Sequence, residues 1–272
     1  MRRGLALLLA VAACACAVAL ATRPGPADAR EMVVCLRRPV VAQATRCGER
    51  VIVEFHASAT PGLLPARTPM PVAVHLETVI GTEGGAVPTA ARELTIDFDK
   101  AGSLDTNGLA TCSASRIEEL GTAGARRACR RAIVGSGRAE VAIGTAGTEA
   151  LDLTLFNGGR HAGAPTVLVH AASADALAPA HLVIPVKLER QSSGPYGWEA
   201  TVPVPAIPGA ERATLLRFEL DVKRLFSHHG SRHSYLTAQC PRGSLQMALG
   251  VQFSDGTRLL GTVVRPCRPS QR

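Results

Sequence analysis

The chain has 272 residues, with 30 Lys and Arg against 22 Asp and Glu, a formal net charge of +8, and 46% hydrophobic but only 3% aromatic residues. So few aromatic side chains leave little on which bases could stack, and nucleic acid is not expected as a partner. The basic excess is almost wholly arginine, Lys100, Lys187 and Lys223 being the lysines, and it suits attraction to an anionic polymer or surface protein of a cell envelope.

The first segment, 1–29, reads as a secretory signal peptide: Arg2 and Arg3, an apolar run from Leu5 to Ala21, a helix-breaking "RPGP", then Ala27, Asp28 and Ala29 as a small-residue cleavage site. Cleavage is expected after Ala29, or earlier after Ala21, which leaves no transmembrane segment. An alternative is lipid attachment at Cys14, where "VAAC" resembles a lipoprotein box, although the chain stays apolar beyond it. The paired arginines also resemble a twin-arginine export signal, without its flanking residues. Cys14 and Cys16 leave with the leader, and Cys35, Cys47, Cys112, Cys129, Cys240 and Cys267 remain. An even count outside the cytosol predicts disulfides.

The mature chain, at about 240 residues, fits one domain with a small N-terminal piece. Residues 30–91 are expected to supply two or three strands, at 51–56 and 72–80 among others, packed on a main domain spanning 92–272. In "ELTIDFDK", Leu94, Ile96 and Phe98 share one face, and Thr95, Asp97 and Asp99 share a solvent face. The following "DFDKAGSLDTNG" resembles a calcium loop, with Asp97, Asp99 and Asp105 at ligand spacing and Gly102 at the turn. Ala101 stands where a fifth-position ligand belongs, however, and Gly108 where a bidentate Glu belongs. The segment is therefore read as strand and turns.

Residues 113–132 break the β pattern. Ser115 with Glu118 forms a capping box that starts a short helix, Gly121 and Gly124 interrupt it, and "ARRACRRA" makes a second. A continuous helix would hold Cys112 and Cys129 roughly 25 Å apart, whereas a broken one can bring them together, so they are paired. Arg126, Arg127, Arg130 and Arg131 would cover one side of the second helix as a candidate anion-binding patch, or simply a solvated face.

Beyond 150, strands are expected at 151–156, 166–171, 181–189, 196–204, 215–226, 233–239, 246–253 and 258–264. Leu182, Ile184, Val186 and Leu188 alternate with wetter positions, as do Leu216, Phe218, Leu220 and Val222, and as do Tyr196, Trp198, Ala200, Val202 and Val204. "SDGT" predicts a tight type I′ hairpin. Cys240 and Cys267 fall past two strand ends at one edge and are paired, which leaves Cys35 with Cys47 by elimination. "HHGSRH" sets His228, His229 and His233 in a hairpin loop. It is the densest set of metal-capable side chains in the chain, and is otherwise a polar turn. His56, His75, His161, His170 and His181 read as ordinary strand or loop residues. No nucleophile elbow, metalloprotease helix or phosphate loop is present, and no cofactor is expected.

The runs "LTIDFDKAGSLDTNGLATCSASRIEEL", "RRACRRAIVGSG", "LFNGG", "PYGWEATVPV" and "RHSYLTAQCP" resemble a family of uncharacterised secreted proteins from high-GC actinobacteria, across roughly 92–267. The resemblance implies export and a shared β-rich fold, with no assigned activity. That family usually carries basic residues in the hairpin before "SYL", where this chain has histidines. The expected whole is an antiparallel β-sandwich with a disulfide-stapled helical insertion at 113–132, exported and non-enzymatic, binding an envelope polymer or surface protein. The second reading is a secreted hydrolase or metal-dependent enzyme built on His228, His229 and His233.

Overall fold

A computed structural model describes residues 40–46, 49–144, 147–173, 181–206 and 213–267. The leader, Cys14 and the Cys35 and Cys47 pairing lie outside them. The described chain is mainly antiparallel β. β1 (Val40–Arg46), β2 (Glu49–Thr60), β3 (Met70–Pro71), β4 (Ala73–Thr82), β5 (Ala91–Asp99) and β6 (Gly102–Leu104) come first. A helical segment follows, with 3-10 turns at Ala114–Arg116 and Arg130–Ala132 around α1 (Thr122–Ala128). Then come β7 (Ile133–Ile143), β8 (Thr148–His161), β9 (Ala164–Ser173), β10 (His181–Arg190), β11 (Tyr196–Pro203) and β12 (Ala213–Val222). β13 (Leu225–His228), β14 (Ser231–Ser234), β15 (Leu236–Ala238), β16 (Ser244–Phe253) and β17 (Arg258–Pro266) complete the order.

Twelve strands form one sheet in the order β1-β2-β4-β12-β7-β8-β9-β10-β11-β5-β16-β17. β7 to β11 are a simple meander, and β12 and β5 flank it on its two sides. The expected sandwich is corrected here: its two layers are one continuous hydrogen-bonded sheet that curls until β1 and β17 lie against each other. Curling removes the exposed edges that an open sheet of this width would carry. β1, β2 and β4, from the 30–91 stretch, are consecutive members of that sheet.

Alternation sets which side chains face inward. Leu94 and Ile96 of β5, Val186 of β10, Ala200 of β11 and Leu249 and Val251 of β16 are all buried in one core. In β12 a register shift between Leu215 and Arg217 turns Leu215 into the buried position, in place of the expected Leu216. The "SDGT" hairpin is three residues wide rather than two, because the Phe253 amide donates to the Thr257 carbonyl and the Asp255 carboxylate caps the Thr257 amide at 2.8 Å.

The helical segment packs outside the barrel. Ile117, Ala125 and Ala132 bury against Phe156 of β8 and Leu168 of β9, which point outward. The first turn, a 3-10 turn, begins two residues ahead of the expected capping box: Ser113 rather than Ser115 is the cap residue, and no side chain caps it. Cys112 is bonded to Cys129 with their Cα atoms 5.7 Å apart, α1 ending at the second cysteine. The strand expected over 233–239 splits between two small sheets, β13-β14 and β3-β15-β6, and the latter lies across one end of the barrel.

Candidate functional site

The lumen is filled at one end and hollow at the other. Val53, Ile80, Val141, Leu151, Phe253 and Leu259 close the filled end, each nearly without exposure. Toward the other end the inward side chains Val74, Phe98, Val169, Leu188, Val202 and Leu220 are only half-buried, because they face a cavity of about 200 Å³ instead of packed neighbours. Leu76, Ile96, Leu155, Val186 and Val263 form its floor, and β6 and β15 lie over it. Small residues help make the space: Ala57, Ala59 and Ala200 stand where larger inward side chains would fill it. Exposed Ser58, Pro61, Gly62 and Pro266 border it on the solvent side.

Trp198, the chain's one tryptophan, lines the cavity, with Arg190 of the neighbouring strand stacked 4.7 Å from its ring centre. Its indole N–H is buried and meets no acceptor among the described residues. Tyr235 also lines the cavity at 2% exposure, and burial pushes its hydroxyl far above the ordinary tyrosine range, so it stays protonated.

Two charged residues border this space. Asp99 is buried and fully engaged: Arg242 donates to both its oxygens at 3.0 and 3.1 Å, and the amides of Ala101 and Gln246 donate at 2.8 and 3.0 Å. Asp99 thus departs from the solvent face expected for it. Arg265 of β17 is the other. It follows Leu259 and Val263 on the inward alternation, and its Nε donates to the Ala57 carbonyl of β2 at 2.9 Å. Among the described residues β1 pairs with residues 49–55 of β2, and the bond lies beyond that stretch, joining β17 to β2 across the sheet's seam. Among the described residues no acid pairs with Arg265.

The residues singled out from sequence lie elsewhere. His229 and Gly230, with φ of 49° and 76°, are the two central residues of the β13-β14 hairpin, the backbone of a type I′ turn. The His228 ring packs over Gly108, where a Cβ would collide with it. His233 Nδ1 sits 2.9 Å from Asp105 Oδ2, with its ring stacked on Phe226. Burial works to raise the Asp105 pKa, but the Asn107 amide and His233 outweigh it and hold the carboxyl below its usual value. The His228 ring lies tilted against His229 and edge-on to His233, and among the described residues the three do not form a set of ligand atoms within metal-binding reach. Among the described residues the set that does is His75, Glu219 and Asp221, on the outer wall, with His75 Nδ1 already 3.2 Å from Asp221 and Glu219 4.0 Å from Arg217.

Arg126, Arg127, Arg130 and Arg131 are all exposed, but Cys129 divides them between α1 and the following 3-10 turn. Arg126 lies back on β8, its Nε donating to Thr154 Oγ1 at 2.9 Å. His170, read as an ordinary strand residue, is wholly buried beneath the helical segment and donates from Nε2 to the Leu120 carbonyl at 2.6 Å. Burial depresses its pKa and keeps it neutral.

Sequence reasoning missed the lumen and its arginine. One signal was present: in "RLLGTVVRP" an arginine occupies a position of the same parity as buried Leu259 and Val263. Among the described residues no helix is long and apolar enough to cross a membrane. Comparison with family models, with curated proteins and with solved structures finds no match to this chain.

Proposed function

We propose that this chain is an exported, non-enzymatic binding protein of the cell envelope whose barrel holds an apolar chain, such as the acyl part of an envelope lipid. One observation carries the reading: a cavity of about 200 Å³ walled by aliphatic side chains. Aliphatic walls left facing water cost free energy in proportion to their exposed area, about 25 cal/mol per Å². Water is a poor occupant, because each molecule needs two to four polar partners that aliphatic walls do not offer. A hydrocarbon chain satisfies such walls without hydrogen bonds, and wide barrels are a recurrent way of holding one.

The apolar leader at 1–29 and the two disulfides favour a place outside the cytosol. The lumen's chemistry supports the non-enzymatic part of the reading: the acid of its lining, Asp99, is engaged in four hydrogen bonds.

Trp198 reports on occupancy. A saturated alkyl chain carrying bromine at its far end should quench tryptophan emission saturably, at one chain per protein. Absence of saturable quenching with every chain length tried would end the carrier reading.

A further inference from the structure

We infer that the occupant is an amphiphile with an anionic head, a carboxylate or a phosphate, and that Arg265 is the residue that receives it. The inference rests on the lumen reading above and specifies the ligand class of that site.

The argument is one of charge and donors. Arg265 is half-buried at the edge of an aliphatic cavity, where poor screening by the walls strengthens its attraction for an anion. Here the other charged residue of the lining, Asp99, is neutralised by Arg242 and two backbone amides and has no capacity left for Arg265. The Ala57 carbonyl engages Nε alone and so fixes the guanidinium at the seam, leaving its two terminal nitrogens for another acceptor. Among the described residues, the fully buried side-chain atom of the lining that lacks a partner is also a donor, the indole N–H of Trp198. A site short of acceptors selects a ligand that brings them. A guanidinium held by one edge presents the paired geometry that fits carboxylate and phosphate. Its position beside exposed Pro266, at the solvent border of the cavity, sets the head at the mouth and the chain inward.

The test compares two probes on the full mature chain: a dodecanoate tipped with bromine and the matching alcohol, both read by Trp198 quenching at a pH where the acid is ionised. The unaltered protein should bind the acid at least about tenfold tighter than the alcohol. Arg265→Gln should erase that preference while leaving alcohol affinity unchanged, and Arg265→Lys should restore part of it. Dodecyl phosphate displacing the acid at similar concentration would extend the class to phosphate heads, and failure to displace would confine it to carboxylates. Equal binding of acid and alcohol, indifferent to Arg265→Gln, would overturn the inference while leaving the lumen reading standing. Equal loss of both probes in Arg265→Gln would also overturn it, assigning Arg265 to seam closure alone. If neither probe quenches the unaltered chain, the lumen reading itself fails.

Discussion

Two aspartates on one strand show how far environment separates chemically identical side chains. Asp97 faces outward beside Glu199 of β11, its cross-strand neighbour. Burial, and then repulsion from Glu199, raise its pKa from 3.8 to about 6. The folded chain therefore holds a proton in that window that the unfolded chain has released. Stability from this site falls as pH rises through the window, and the ionised pair burdens the fold above it. Asp97→Asn should raise the melting temperature by about 2–4 °C near neutral pH, with the gain vanishing by about pH 4. A gain that persists unchanged in acid would contradict the assignment. His170 works with the opposite sign: its depressed pKa contributes stability above its unfolded value of 6.5 that is lost as pH falls. Variant and parent must therefore be compared at each pH. Asp99, two residues on, is 5% exposed and paired with Arg242. Asp99→Asn should cost about 2 kcal/mol in urea unfolding, because it removes the charge and turns one accepting oxygen into an amide donor that faces Arg242 and backbone N–H groups. The solvent face expected for Asp99 was misread because β5 ends there and the chain turns inward to β6, a change that alternation does not encode.

At the scale of elements, what carries the site is a cap fastened to a barrel. β15 in the cap and β17 in the barrel are tied by Cys240 and Cys267, whose Cα atoms are 5.8 Å apart, beside buried Leu64 and Val72. The Cys240 amide also donates to the Pro65 carbonyl at 2.7 Å, which fixes the loop bordering the mouth. Replacing both cysteines by serine should cost about 3–4 kcal/mol and should speed release of a bound alkyl chain in stopped-flow quenching. Unchanged release would mean that the cap does not control the mouth. Much at this scale was legible: the inward faces of β5 and β10 follow from alternation, as does that of β11 from Trp198 onward, although a bulge between Tyr196 and Trp198 takes Tyr196 off the face expected for it, and both described disulfides join the cysteines that element ends bring near each other. The cap was not legible, because its strands are two to three residues long, too short for periodicity to register. The histidine-rich hairpin was visible as a cluster, and turn geometry, the fit on Gly108 and the Asp105 contact place its rings.

For the whole molecule, closure is the property that local sequence could not reveal. Each hairpin of the meander is the same in a sandwich or a barrel; what differs is that β12 and β5 enter between strands far apart in the chain, and that β1 meets β17. Closure makes the lumen, and the alanines on its walls leave it hollow. The account's central claim is that this hollow is the binding space. The most direct measurement is Trp198 quenching by the brominated alkyl probe on Val169→Phe, whose new ring would project from β9 into the cavity, beside the same titration on the parent. The account predicts a variant at least as stable as the parent that has lost saturable quenching, since the ring takes the ligand's place. Undiminished quenching in a folded Val169→Phe variant would contradict it.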